Sequence, residues 1–253
     1  MDKSLRELAA WFTEDGWPSP PCPACETGRL GAPPGEVRDD LHNYRVQHWA
    51  DSGDPTTIEG VFVARLVCSR RRCQEVVTAT GDFGVEQEYD PVADEHFQTI
   101  FKVRTLYPAV ALLQPPDGTP VSVAADLLRA AATVWLDPGS AMTCLRRSLE
   151  TLMTEHRIPA TSMTKKGAER RLTLHDRIEL FRVLRPDVAD LLEAVKWVGN
   201  DAAHGEGDGI TQKDVLDMAE FVEVALGMLY VVDNSAVLAR ARQIVVSKGL
   251  SSG

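Results

Sequence analysis

Two short pairs of cysteines are the feature that most restricts how this chain can fold. Cys22 and Cys25 are spaced C-x2-C, and Cys68 and Cys73 are spaced C-x4-C. Four thiolates brought together by a fold form the tetrahedral ligand set that Zn²⁺ prefers. An odd count of five cysteines, with no recognisable secretion signal, argues against a disulfide framework. We therefore predict that the four paired cysteines bind a structural zinc ion.

The sequence around the second cysteine pair is typical of a zinc ribbon. Residues 61–67 (VFVARLV) and 75–80 (EVVTAT) are rich in β-forming side chains, so this pair lies at the turn between two predicted strands. Four sulfur ligands leave no coordination position for water or a substrate, which favours a structural metal. His42 and His48 are alternative ligands between the pairs, and four unrelated reduced cysteines are the alternative to a metal site.

The rest of the N-terminal region is predicted from local patterns. Residues 1–17 (MDKSLRELAAWFTEDGW) have the pattern of an amphipathic helix. Residues 31–55 are rich in Gly, Pro and Asp and predict a loop with one strand at 44–49, and two further strands are expected at 85–89 and 96–103. Residues 1–105 therefore form the predicted zinc-ribbon-like β-domain.

Prolines separate this region from a helical one. Pro108, Pro115, Pro116 and Pro120 fall within thirteen residues, which predicts a linker over 106–120. After it, apolar residues recur at helical spacing, and residues 121–253 are predicted to form a bundle of five or six helices. The predicted helices run from a cap at Ser122 to residue 136, then over 140–156, 173–184, 187–204, 211–230 and 235–246. The fold class is therefore α+β.

Charge and hydropathy exclude two classes of function. Residues 1–100 carry 9 Lys and Arg against 18 Asp and Glu, which accounts for most of the net charge of −10. A nonspecific binder of duplex DNA is expected to be basic, so this acidity argues against that role. The sequence has no run of the roughly 18 apolar residues that a membrane span requires. We expect a cytoplasmic protein without a membrane partner.

One stretch is basic. Residues 157–185 contain eight Lys and Arg against three acidic residues, a local net charge of +5. Such a face could bind nucleic-acid phosphates. A solvated surface, or a contact with the acidic N-terminal half of the same or another copy, explains the charge equally well. The candidate nucleic-acid-binding residues are Lys165, Lys166, Arg170, Arg171 and Arg177.

The string AVKWVGNDAAHGEGDG is the most distinctive in the helical region. Lys196, Asn200 and His204 are spaced i, i+4, i+8, which places them on one face of a helix. An ammonium, a carboxamide and an imidazole in line could bind or transform a ligand. A network that only ties the helix end to its neighbours is the alternative.

These residues carry a resemblance to a family. Residues 108–230 resemble the bacterial family known as domain of unknown function 4145, which has a Pro-rich entry, a helix with an Arg-Arg pair and Glu, and a helix ending in Gly-Asn-x-Ala-Ala-His. The matching residues are Pro108, the pair Arg146 and Arg147 with Glu150, and residues 199–204. The resemblance implies an all-α HEPN-like bundle.

Many HEPN proteins are metal-independent ribonucleases with an Arg-Asn-x-x-x-His motif across a dimer interface. The resemblance therefore implies His204 as acid and base and Asn200 as the residue that orients it. Gly199 replaces the motif arginine, so Lys196, Arg146 or Arg147 would have to supply the cation. This replacement leaves enzymatic activity an open question.

Three functions remain open. The first is a non-catalytic or regulatory module that binds a protein or RNA and forms a homodimer, in a setting of bacterial antiviral defence or stress response that the resemblance implies. The second is a metal-independent endoribonuclease that uses His204. The third is a zinc-stabilised scaffold subunit of a larger complex.

Overall fold

The structure is a computed structural model. It describes the backbone of residues 1–88, 96–204 and 209–231, and their side chains except those of residues 96 and 200–204. The architecture is mixed α+β, as predicted, with an antiparallel sheet in the N-terminal half and helices in the C-terminal half. No helix in these ranges combines the length and the apolar character that crossing a membrane requires. The predicted helix at 235–246 lies outside the described residues.

A curled antiparallel sheet forms the N-terminal half. The strands are β1 (Phe12–Thr13), β2 (Leu30–Gly31), β3 (Val37–Leu41), β4 (Glu59–Cys68), β5 (Val76–Glu88) and β6 (His96–Tyr107). Their order in the sheet is β1-β6-β5-β4-β2, and β3 also pairs with β4. Strand β4 alternates between exposed and buried residues along its length, so one face of the sheet covers a core.

The C-terminal half consists of packed helices with one inserted hairpin. Asp137, Thr173 and Thr211 each accept a hydrogen bond from a backbone amide at a helix start, which explains where three of the helices begin. The hairpin strands are β7 (Thr161–Met163) and β8 (Glu169–Arg171). The helices of the whole chain are α1 (Lys3–Leu8), α2 (Asn43–Ser52), α3 (Val121–Thr133), α4 (Pro138–Glu155), α5 (Leu174–Arg182), α6 (Pro186–His204) and α7 (Gln212–Tyr230).

The structure corrects several local predictions. Residues 44–49 are not a strand but part of α2, which has no buried residue and ends at Gly53 in the left-handed conformation. Ser122 does not cap α3, because the helix already includes Val121 and begins after Pro120. The leading helix ends at Leu8, well before residue 17, because Phe12 and Thr13 pair with β6. The hairpin β7–β8 was not expected.

Apolar contacts join the two halves of the chain. Val110, Leu112 and Leu113 follow β6 and are buried, in one continuous core with the inner face of the sheet and the helices. Helix α1 also docks on α7, since the Arg6 guanidinium donates to Asp217 and, at 2.7 Å, to Glu220 of that helix. The residues between the sheet and α3 therefore help to form the core.

Candidate metal centre and cationic surface

The four paired cysteines converge on one point. Their sulfur atoms all lie within 4.8 Å of one another. Cys22 Sγ is 3.7 Å from Cys73 Sγ, and Cys25 Sγ is 3.7 Å from Cys68 Sγ. A zinc ion with bonds of about 2.3 Å to four thiolates places the sulfurs about 3.8 Å apart. The cluster therefore has the ligands and the spacing of a tetrahedral metal site.

Backbone hydrogen bonds shape the loop that carries each cysteine pair. In the first loop the Cys22 amide donates to the Gly28 carbonyl at 2.9 Å, and the Gly28 amide donates to Cys25 Sγ at 3.3 Å. In the second loop the Cys68 amide donates to the Glu75 carbonyl at 2.9 Å, and the Arg70 amide donates to Cys68 Sγ at 3.4 Å. Amides directed at sulfur stabilise the thiolate form that binds metals.

Gly28 belongs to the site although it supplies no ligand. A Cβ atom at this position would lie 2.3 Å from Cys68 Sγ and 3.1 Å from Cys25 Sγ. The glycine therefore lets one loop approach the sulfurs of the other closely. Sequence reasoning missed this residue, and its signal was a glycine three residues after the second cysteine of the C-x2-C pair.

The thiols influence one another's ionisation. Burial acts to raise the pKa of Cys25, but the Gly28 amide and the neighbouring thiols outweigh it and lower the pKa to about 6. Burial raises the pKa of Cys68 to about 12, assisted by the thiols of Cys25 and Cys22 and opposed by the Arg70 amide. One thiolate thus disfavours the next, and a bound dication would let all four ionise together.

The alternative histidine ligands are not part of this cluster. Among the described residues the group contains only the four cysteines, and His42 stacks on the Tyr44 ring with a centroid distance of 5.4 Å.

A second group of potential ligands, His175, Glu179 and Glu193, lies between α5 and α6. Arg182 already engages both carboxylates, with its Nε 3.0 Å from Glu179 and its Nη2 2.5 Å from Glu193. All three side chains of this group are at least partly exposed. Since Arg182 already contacts both carboxylates, we do not assign a metal to them.

The Arg-Arg pair of α4 divides its contacts between two neighbouring helices. Arg147 faces α3, where its Nε lies 3.3 Å from the buried carboxylate of Asp126. Arg146 faces α6, because a Cβ atom at Gly199 would lie 3.7 Å from the Arg146 side chain. Of the two arginines, only Arg146 stands beside the position where the resemblance places the missing motif arginine.

Lys196 is buried within the chain. It is 5% exposed, and its Nζ lies 3.2 Å from the centre of the Trp197 ring. The helix that carries Lys196, Asn200 and His204 is present as predicted, since α6 ends at His204. The side chains of Asn200 and His204 lie outside the described residues, so the predicted alignment of all three groups stays a prediction.

The predicted nucleic-acid-binding residues separate into an exposed and a buried set. Lys165, Lys166, Arg170 and Arg171 are exposed on the β7–β8 hairpin or its turn. Arg177 is 7% exposed and donates to the Glu150 carbonyl at 3.1 Å, to Thr154 Oγ1 at 2.9 Å and to the Ile158 carbonyl at 3.0 Å. Arg177 thus holds α5 to the end of α4, and the four exposed residues form what we call the basic hairpin.

Comparison with known families separates the same two halves. Residues 129–245 match the family model described as Domain of unknown function (DUF4145), and residues 10–107 match the one described as Domain of unknown function (DUF8608). The helical half is therefore similar to DUF4145, the family that its motifs resemble. No curated protein and no solved structure matches the chain significantly.

Proposed function

We propose that this chain is a non-catalytic binding module in which a zinc-stabilised sheet supports a HEPN-like helical domain that contacts RNA through the basic hairpin. The observation that carries the proposal is the exposure of four cations on one short hairpin, opposed there only by Glu169. Arg170 approaches one carboxylate, that of Asp176, at 3.5 Å. The remaining cations are available to phosphates.

The cysteine cluster supports a zinc ion as the stabilising metal. All four ligands are sulfur, at distances that fit a tetrahedral thiolate site and leave no open coordination position. Zinc would therefore fix the two loops and take no part in a reaction. Metal analysis of purified protein should find about one zinc per chain, and less than half a zinc per chain would contradict the proposal.

Salt-dependent RNA binding tests the role of the hairpin. We expect the full chain to bind single-stranded RNA with an affinity that falls as salt rises. The double variant Lys165→Gln, Lys166→Gln should weaken binding. It should also reduce the steepness of the plot of log affinity against log salt concentration by about 1.4, because each phosphate contact on a single strand contributes about 0.7 to this slope. The control is Arg38→Gln, Lys213→Gln, which removes two exposed cations elsewhere. Equal binding by both double variants would overturn the proposal.

A metal-independent ribonuclease is the second candidate, and the position of Arg146 favours it. The guanidinium could replace the missing motif arginine from α4, since its side chain lies beside Gly199 on α6. His204 would act as acid and base and Asn200 would orient it. RNA integrity in cells expressing wild type, His204→Ala or Arg146→Ala tests this candidate. Cleavage by wild type that both substitutions abolish would establish a nuclease, and intact RNA in all three would exclude it under those conditions.

The homodimer and the antiviral setting are proposals that rest on the family resemblance. Burial of Lys196 removes it from a free surface, whereas Trp197 beside it is 54% exposed. A dimer built on this helix would therefore use Trp197 in place of Lys196. The role of a scaffold subunit is the alternative if the chain binds no RNA.

A further inference from the structure

We propose that a cavity at the foot of the basic hairpin binds a phosphate group. This inference rests on the proposed function and assigns a specific site at which the protein contacts RNA. The cavity has a volume of about 350 Å³ and lies between α4, the end of β8 and the first turn of α5. Arg146, Arg171 and Arg177 line it, and Glu150 is the one carboxylate among the lining residues that the structure describes. Without counting Arg146, the guanidinium groups of Arg171 and Arg177 still outnumber this carboxylate, which favours an anion.

Arg177 supplies a fixed positive charge at the base of this cavity. Its two terminal nitrogens donate to the neutral acceptors described above, and its Nε has no hydrogen-bond partner among the described residues. No carboxylate in the described ranges lies within ion-pair distance of it. The guanidinium of Arg177 is therefore held in place without a direct ion pair, although the Glu150 carboxylate acts on it electrostatically, so a positive group faces the cavity before a ligand enters.

The first turn of α5 adds hydrogen-bond donors at the same place. Thr173 lines the cavity and caps the helix, where its hydroxyl accepts from the Asp176 amide at 3.2 Å. The amides of Leu174 and His175 make no hydrogen bond to another part of the described chain. Free amides and the positive end of a helix dipole favour phosphate over other ligands of this size.

Arg171 is the cavity arginine that can be tested with least risk to the fold. It is exposed, and it makes no ion pair with any residue that the structure describes. Its neighbour on β8, Arg170, lies outside the cavity and approaches Asp176. Because successive side chains of a strand alternate in direction, only Arg171 of these two arginines lines the cavity. A planar guanidinium on an exposed strand suits a phosphoryl group, to which it can donate two hydrogen bonds.

The test measures phosphate and RNA binding by the full chain and compares Arg171→Gln with Arg38→Gln. Arg38 is also an exposed arginine on a strand, but it lies on the sheet and lines no part of the cavity. Inorganic phosphate is titrated calorimetrically, and an eight-nucleotide oligouridine with either a 5′-phosphate or a 5′-hydroxyl is followed by fluorescence anisotropy. We expect Arg171→Gln to weaken phosphate binding about tenfold and Arg38→Gln to leave it unchanged.

The two oligonucleotides identify the source of the phosphate. Tighter binding of the 5′-phosphorylated strand, lost in Arg171→Gln, would assign the cavity to a terminal phosphate. Equal binding of both strands, with competition by inorganic phosphate, would assign it to the phosphodiester backbone. Phosphate binding that depends on Arg171 without RNA binding would retain the cavity and refute the proposed function. Equal phosphate affinity of the two variants, or no phosphate binding by wild type, would overturn the inference.

Discussion

Gly28 shows, at the scale of a single residue, how little space surrounds the cysteine cluster. Its neighbours are two sulfur atoms that a metal would hold in place, so neither can move aside for a larger residue. The glycine is thus as necessary to the site as a ligand.

Gly28→Ala is predicted to disrupt the metal site. The new methyl group would lie 2.3 Å from Cys68 Sγ, and relieving this contact must displace a cysteine. We expect the free energy of unfolding to fall by about 1–3 kcal/mol and the zinc content to drop. Denaturant unfolding and metal analysis measure the two effects. The control is Gly31→Ala, where a Cβ meets nothing within 4 Å, and equal behaviour of both variants would contradict the prediction.

Asp137 is predicted to make the stability of the helical half depend on pH. Hydrogen bonds from the Ser140 side chain and amide lower the pKa of this carboxylate below its usual 3.8. Its stabilisation is therefore present above pH 3.8 and is lost as the pH falls through the lower folded pKa. We expect Asp137→Ala to cost about 1 kcal/mol at pH 7 and little at pH 2. Asp137→Asn, which caps without ionising, should retain its stability at pH 7, and a large loss there would refute this explanation.

Residue spacing predicted the cluster of four cysteines but not the surroundings of the other candidate residues. The cysteine spacing was sufficient to predict this cluster because the two cysteines of each pair are close in sequence and the second pair lies at the turn between two strands. In contrast, the directions of Arg146 and Arg147 depend on which helix packs on each side of α4. The burial of Lys196 and Arg177 likewise depends on tertiary packing, because lysine and arginine are usually exposed and a sequence alone predicts them on the surface.

At the scale of elements, capped helices were predictable and short exposed ones were not. The Thr173 and Thr211 caps are local signals, and α5 and α7 begin where the sequence predicts. Helix α2 buries no residue, so no buried apolar face marks this segment as a helix. Its aromatic and β-branched residues therefore led to the prediction of a strand. The hairpin β7–β8 is three residues per strand and mostly exposed, which leaves no alternating apolar pattern to detect.

Gly199→Ala in α6 is predicted to stabilise the protein. A Cβ there would make ordinary contacts of 3.7 Å with Arg146 and Met142, and alanine loses less backbone entropy on folding than glycine. We expect the free energy of unfolding to rise by about 0.5–1 kcal/mol. Gly227→Ala in α7, where a Cβ meets nothing within 4 Å, is the matched helical control and should stabilise similarly. A lower free energy of unfolding in Gly199→Ala alone would contradict the prediction and show that α4 and α6 leave no room for the added methyl group.

At the scale of the whole molecule, one core spans both matched families. Leu112 lines one cavity together with Leu5 of α1 and another together with Leu127 of α3, and all three leucines belong to one buried core. The proline content of residues 106–120 correctly excludes a regular element after β6, but it gives no sign that the leucines between the prolines are buried. Burial of these leucines couples the folding of the sheet to that of the helices.

Leu112→Ala is therefore predicted to destabilise both halves together. We expect a loss of about 2–5 kcal/mol, because a buried leucine leaves a cavity when it is truncated. Denaturation followed by far-UV circular dichroism and by tryptophan fluorescence should give one coincident transition in wild type and variant. Leu128→Ala, at a residue 56% exposed, should change the stability by less than about 0.5 kcal/mol. Two separated transitions in wild type would contradict a shared core.

The buried leucines also determine how the protein can be divided. A cut after residue 107, where the first family match ends, would leave Leu112 and Leu113 on the helical fragment without the sheet-side residues that cover them. It would also free the face of α7 on which α1 docks through Arg6. Newly exposed apolar surface of this kind promotes self-association. The two matched regions therefore form one physical unit, and a fragment that ends at their sequence boundary should be prone to aggregate.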